Sequence, residues 1–446
     1  MFLFAYIKKT LYLCSRKYFT TMKIYRANII YTPTPDKLEI IPHGYIAVRS
    51  SGIIEGVYKE KPAETDWRQV IDFGDRLLIP AFNDLHVHAP QYRNMGLALD
   101  LELLPWLNTY TFPEEAKYAD PEYAQKMYRR FVHELWMQGT MRAAVFATMH
   151  AESTRILADL FVQAGMGAYV GLVGMDRNSP DNLRNNTEYV LEGMEMLRMH
   201  LEEHGNNGLV KPIITPRFVP SCTPQMLKAL GEYAAKMNMP VQSHLSENRS
   251  EIEWVAELEP ESTCYGDAYN RYGLFGQTPT LMAHCCYSEG EELNLMKRNG
   301  VYVVHCPMSN SNLSSGIAPI RTFLEHGVNV ALGTDVSAGH NMSMLRVMQY
   351  AIQVSKLRYA ESHGKTRFLS LSEVLYLATK AGGSFFGKVG SFEKGYEFDA
   401  LVIDDSYLNA FDYTLEQRIE RYLYLGDDRD IKRRFCRGVE LTEPVY

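Results

Sequence analysis

The stretch LLIPAFNDLHVH, residues 77–88, is apolar at nearly every position until it ends on two histidines one residue apart. Such a run fits a strand buried on both faces, as in parallel sheet. Seven runs of the same kind follow: MRAAVFATM (141–149), GAYVGLVGMD (167–176), KPIITPRFVP (211–220), MPVQSHLSE (239–247), TLMAHCCY (280–287), VYVVHCPMSN (301–310) and VNVALGTDVS (328–337). Segments of helical spacing separate them. Met127, Tyr128, Phe131, Val132, Leu135 and Trp136 precede the second run; Met226, Leu227, Leu230, Tyr233 and Ala234 precede the fifth. Alternating strands and helices mean parallel βαβ units. Eight of them predict an α/β chain closed into a (β/α)8 TIM-like barrel over residues 77–386.

The flanks have another texture. Residues 23–76 hold short strand-like pieces broken by turns at 33–36 and 51–52. The segment 387–446 repeats that texture in GSFEKGYEFDALVID and RRFCRGVELTEPVY. Neither piece is large enough to hold a core alone, so both chain ends are expected to pair into one small β-sandwich domain. Residues 89–120 read as a long loop after the first barrel strand, and loops of that length in a compact domain are often functional. Residues 1–22 are basic and free of acid. They read as a possible N-terminal extension, with an upstream start before Met22 favoured over a targeting segment.

Composition narrows the function classes. The 446 residues carry 46 Lys+Arg against 53 Asp+Glu, a net charge of −7, so no basic surface is expected for nucleic-acid backbone. A hydrophobic share of 46% against 22% charged is a globular balance and argues against disorder. No long uncharged apolar run predicts a membrane span. The seven cysteines are odd in number, irregularly spaced and without a CxxC pair, which favours a reducing, cytoplasmic setting over a disulfide framework.

The chemistry-bearing residues cluster at strand ends. His86 and His88 share one face of the first strand because side chains alternate with period two. His244 ends the fifth strand, His284 the sixth and Asp335 the eighth. In a barrel these ends converge on one mouth. Four imidazoles and a carboxylate there suit Zn²⁺, with Fe²⁺ as second choice. A single buried histidine is more often a hydrogen-bonded core residue, Asp335 can be a helix N-cap, and His305 ends the seventh strand without joining the set. Shared placement at strand ends favours the metal. No lysine ends the fourth strand to bridge two metals, so one ion per chain is expected. Glu247, three residues after His244, can take a proton from a metal-bound water and pass it to a substrate nitrogen. Arg217 and Phe218 offer a cationic fork and an aromatic face; the arginine can equally be a structural ion pair. Gln91 offers an amide that both donates and accepts. Trp106 and Phe112 in the long loop either close over a substrate or form the loop's own core.

Several stretches together carry a family resemblance: HVHAPQY (86–92), LLPWLNTYTFPEEAKY (103–118), TPRF (215–218), SHLSENRSE (243–251), MAH-x-CY (282–287), HCP-x-SN (305–310), GTDV (333–336) and YLGDDR (424–429). From about Pro80 onward the chain resembles the guanine deaminases of the amidohydrolase superfamily. HxH, HxxE and a late TD are common to many amidohydrolases, whereas HAPQY, the PW-L-x-x-YTFP loop and SH-x-SENR are far narrower. The resemblance implies hydrolytic deamination of guanine to xanthine and ammonia, with guanine and water as the partners. It implies one zinc on His86, His88, His244 and Asp335, with Glu247 as proton shuttle. His284 would hold or polarise the attacking water, and Gln91, Arg217 and Phe218 would hold the purine. A cytoplasmic homodimer is the family expectation. Departures lie at Ala81, Leu85, Cys285, Met308 and residues 337–340, and they bear on the outer wall of the pocket. Two rival readings follow: a related hydrolase acting on another purine, a pterin, a triazine or a cyclic amide, and an inactive scaffold of the same fold.

Overall fold

The computed structural model describes residues 22–63, 69–408 and 411–446, so the expected extension lies outside the described residues except for Met22. Four strands come first: β1 (Lys23–Thr34), β2 (Lys37–Val48), β3 (Ile54–Tyr58) and β4 (Val70–Pro80). Parallel strands then alternate with helices: β5 (Phe82–His88), β6 (Thr140–Phe146), β7 (Gly167–Gly171), β8 (Val173–Gly174), β9 (Val210–Pro212), β10 (Thr215–Pro216), β11 (Val241–Leu245), β12 (Thr280–His284), β13 (Tyr302–His305) and β14 (Asn329–Leu332). β15 (Ala400–Ile403), β16 (Ile431–Cys436) and β17 (Val439–Glu440) close the chain. The architecture is mixed α/β. No described helix is long and apolar enough to cross a membrane.

The parallel strands pair in two sets of four, β5-β6-β7-β9 and β11-β12-β13-β14, with β8 and β10 pairing beyond the first set. Both seams carry backbone contacts. Ile214 bridges Val241 on one side. On the other, Asp335 N donates to His86 O at 2.8 Å and His88 N to Val336 O at 3.1 Å. Helices cover the outside as their spacing predicts. In Pro121–Met137 the residues Met127, Tyr128, Phe131, Val132 and Leu135 are buried, and Asp120 caps the start by accepting from Glu122 N.

The first sequence run is not one strand. Residues Leu77 to Pro80 finish β4 and pair antiparallel with β15, and the first strand of the parallel sets begins only at Phe82. The break falls where Ala81 N turns to donate to Asp399 O. The remaining end strands form one seven-stranded sheet in the order β17-β16-β15-β4-β1-β2-β3. The sheet bends back on itself: Ile54 N at one edge donates to Tyr396 O, and the Tyr25 ring on β1 stacks on Phe398 at 4.9 Å and meets Phe435 of β16 at 5.3 Å.

The C-terminal segment is also not all strand. Leu415–Leu425 is a helix, opened by a capping box between Thr414 and Gln417, and its Ile419, Tyr422 and Leu423 join the main core instead of the small sheet. Arg142 of β6 ties the two parts together. Its Nε donates to Asp399 Oδ2 at 2.6 Å, with both side chains almost fully buried. Asp399→Ala leaves that guanidinium buried without this partner, and a loss of about 3–5 kcal/mol is expected, read as a lowered urea midpoint.

Candidate metal centre and active site

Six titratable side chains meet at the C-terminal ends of the parallel strands. His86 Nε2 and His88 Nε2 lie 3.1 and 3.3 Å from Asp335 Oδ1. His88 Nε2 lies 3.2 Å from His244 Nε2. His284 Nε2 stands 3.8 Å from Asp335 Oδ2 and 3.6 Å from Glu247 Oε2. The chain approaches itself closely to achieve this: a Cβ at Gly333 would sit 2.9 Å from the His86 Cβ. Asp84 fastens the approach, accepting from His86 N at 3.2 Å, from Thr334 N at 3.0 Å and from the Thr334 hydroxyl. His284 and Asp335 hold φ of 73° and 49°, a left-handed backbone that costs side-chain-bearing residues energy and recurs at functional sites.

The ring orientations have local causes. His244 Nδ1 donates to Arg217 O at 2.6 Å, and His284 Nδ1 to Asn310 Oδ1 at 2.8 Å, so each Nε2 turns a lone pair to the centre. Burial pushes the His86 and His88 pKa values down, the latter to about 4, and holds His244 well below the usual range. Burial alone would raise Asp335, but His86, His88 and His284 outweigh it and hold the carboxyl well below its ordinary value. Burial, then the charge of Asp335, pushes Glu247 up to about 8 against the hydroxyl of Ser315, which donates to Oε1 at 2.9 Å. His86 Nε2 is buried and, although close to Asp335 Oδ1, makes no well-directed hydrogen bond. Two overlapping groups, His86 with His88 and His244 and His86 with His284 and Asp335, keep their ligand atoms within 4.8 Å of one another. Neutral imidazoles, an ionised carboxylate and a buried ring nitrogen without a well-directed hydrogen bond fit a divalent metal ion.

A cleft opens on this group. Leu103, Trp106 and Leu107 from the long loop form part of its apolar wall with Phe218, Leu313 and Ala338, while Gln91, Arg217 and Glu247 supply polar groups. The loop is a succession of short helical turns over residues 103–119. Trp106 lines the cleft, whereas Phe112 lies 5.2 Å from the Arg217 guanidinium as a cation–π partner.

The amidohydrolase family pattern matches residues 77–441. The chain belongs to the amidohydrolase family. Among its relatives, guanine deaminase of Dictyostelium discoideum is 36% identical over 94% of this chain and 97% of its own length. Guanine deaminase of Homo sapiens is 35% identical over 94% and 96%. A crystal structure of guanine deaminase from C. acetobutylicum with guanine in its active site is 52% identical, covers 94% of this chain and 100% of that one, and superposes with a TM-score of 0.92.

Within this amidohydrolase, every site residue expected from the sequence reaches the same cleft or its floor, and His305 stays outside both ligand groups. Arg217 is an ion pair as well as a cleft residue: its Nη1 and Nη2 donate to Glu115 Oε2 and Oε1 at 2.6 and 3.1 Å. Sequence reasoning missed Glu115, Ser315 and the roles of Asp84, Asn310 and Ser337. Asn310 stood inside a quoted motif, and Asp84 stood two residues before the first histidine, but nothing local marks Ser315. Residues 337–340, read as departures in the outer wall, include Ser337, whose N and Oγ lie 3.3 and 3.4 Å from Gln91 Oε1. Asp84→Ala would strand the buried N–H groups of His86 and Thr334, and a loss of about 1–3 kcal/mol for each unpaired group is expected in chemical denaturation.

Proposed function

We propose that this amidohydrolase hydrolyses guanine to xanthine and ammonia. The observation that carries the reading is one cleft that joins the imidazole–carboxylate group and Glu247 to a donor-only guanidinium, Arg217, and an amide, Gln91. Identity of 35–37% to guanine deaminases over 94% of the chain supports it, as does the likeness to a guanine-bound structure. The proposal takes the two sets of four parallel strands, from Phe82 onward, as a closed (β/α)8 barrel ending near residue 386, for which the hydrogen bonds across both seams speak. The end strands β1–β4 and β15–β17 then make a small β sandwich, with the helix Leu415–Leu425 packed on the main core, for which the folding-back of the seven-stranded sheet speaks.

His86, His88, His244 and Asp335 would hold one Zn²⁺, since three neutral imidazoles and a carboxylate are preferred zinc donors; Fe²⁺ is the alternative. When bound, the ion supplies Lewis-acid activation of water at neutral pH. The chain's own groups do the rest. Arg217 donates to the C6 carbonyl, Gln91 holds the neighbouring ring edge, and Phe218 lies along the base. Glu247 takes a proton from the attacking water and delivers it to ring N3. His284 and Asp335 orient that water towards C2. A C–O bond forms at C2; Glu247, now deprotonated again, takes the remaining proton from the new C2 hydroxyl and passes it to the exocyclic amine, the C–N bond breaks, and the amine leaves as ammonia. The carbonyl formed at C2 completes xanthine. Leu103, Trp106 and Leu107 exclude bulk water from the base. The reading extends to a cytoplasmic homodimer, by family resemblance.

Incubation of the purified protein with guanine, with xanthine and ammonia followed, tests the function. Stoichiometric formation of both supports it, and their absence in metal-replete protein overturns it. Glu247→Gln keeps shape and removes the proton carrier: turnover is expected to fall by about 10²–10⁴-fold with fold and metal retained. Close to one metal per chain is expected by elemental analysis, and the His86→Ala, His88→Ala double variant is expected to lose it.

A further inference from the structure

Glu115 is a buried carboxylate outside the metal group and outside the proton path. Its side chain and that of Arg217 are each only 6% exposed. Its two oxygens meet three donors: Oε2 accepts from Arg217 Nη1 at 2.6 Å, and Oε1 accepts from Arg217 Nη2 at 3.1 Å and from Gln91 Nε2 at 2.9 Å. One carboxylate therefore holds both polar groups assigned to the base.

We propose that Glu115 is a positioning residue that sets the donor–acceptor polarity of the base-binding wall; the inference rests on the guanine reading above. An ionised carboxylate only accepts. It therefore commits the Gln91 NH₂ to itself and turns the Gln91 carbonyl to the opposite side, where Ser337 N and Oγ lie 3.3 and 3.4 Å from Oε1. The amide is held firmly at its NH₂ end by Glu115 and only loosely at its carbonyl end by Ser337, so Glu115 decides which way it faces. The same carboxylate fixes the plane of the Arg217 guanidinium by a two-point contact, with the Phe112 ring 5.2 Å away. The wall then offers donors from Arg217 and, from Gln91, a carbonyl whose contacts to Ser337 are long at 3.3 and 3.4 Å and leave it able to accept from a base. A base edge with a carbonyl next to a ring N–H matches that order. An edge with an amino group next to a bare ring nitrogen presents the reverse, and a buried mismatch of this kind strands both partners. Phe112 and Glu115 are three residues apart on one turn of the long loop, so the segment that covers the cleft also carries the group that sets its selectivity.

Neutralising the buried arginine is the alternative role for Glu115, and a binding ratio separates the two. Hypoxanthine and adenine both lack the 2-amino group and differ at the C6–N1 edge. Their affinities for the metal-replete holoenzyme are measured by calorimetry in wild type, Glu115→Gln and Glu115→Asp, alongside metal content, thermal midpoint, and kcat and KM for guanine. Wild type is expected to prefer hypoxanthine by about 10²-fold or more. Glu115→Gln can donate as well as accept, which frees Gln91 to turn over. Glu115→Asp keeps the charge against Arg217 but is too short to hold Gln91 as well. Both variants are expected to lose at least about tenfold of the preference, with the guanine loss mainly in KM and metal content unchanged. Should Glu115→Gln not fold, Glu115→Asp decides alone. A folded Glu115→Asp protein that keeps the wild-type ratio within about twofold, or loses affinity for both bases equally, overturns the proposal. Because the ratio is an equilibrium measurement, it remains readable if guanine is not turned over, which would instead overturn the proposed function.

Discussion

The site depends on the seam where the last parallel strand meets the first. Asp335 N donates to His86 O, His88 N donates to Val336 O, and Asp84 gathers the backbone of His86 with the backbone and hydroxyl of Thr334. These bonds place Asp335 against two histidines that are about 250 residues earlier in the chain. The approach leaves no room for a side chain at Gly333. A chain whose ends of β5 and β14 were not joined would still have an HxH pair and a TD pair, but no common centre.

Closing that seam buries several titratable groups, and the electrostatics follow from it. Taking an imidazole out of water favours the neutral form, which is the form that offers a lone pair to a metal. The carboxylate of Asp335 would also be driven neutral by burial, yet the three histidines around it reverse the sign. Glu247 has one histidine, His284 at 3.6 Å, and the Ser315 hydroxyl beside it, and burial with the charge of Asp335 moves it the other way. Two carboxyl groups in one cleft are thus separated in proton affinity by their neighbours: one suited to remaining ionised, the other to carrying a proton.

Much of this was legible because it is periodic. Period two puts His86 and His88 on one face, and apolar runs alternating with helical spacing locate His244, His284 and Asp335 at strand ends. Two kinds of feature were not legible. Strand breaks such as that at Ala81 depend on which partner competes for the backbone: Asp399 O takes the Ala81 N–H, so a continuous apolar run becomes two strands in different sheets. The helix Leu415–Leu425 carried a local signal in its T-x-x-Q capping box, but its surroundings read as strand and turn. Glu115 and Ser315 belong to the second kind. Their contacts span 102 residues to Arg217 and 68 to Glu247, and a carboxylate or hydroxyl in a loop carries no mark of the partner it will meet.

Arg217 shows why such partners come from a loop. A guanidinium cannot be buried uncompensated. The described strands around it contribute imidazoles and backbone, whose charge balance belongs to the metal group. Compensation therefore arrives from outside the sheet, on the turn that carries Phe112 and Glu115, and that turn brings Trp106 and Leu107 with it over the cleft. The ion pair and the apolar cover are one device. Without the cover, water would screen the pair; without the pair, the cover would bury an uncompensated charge.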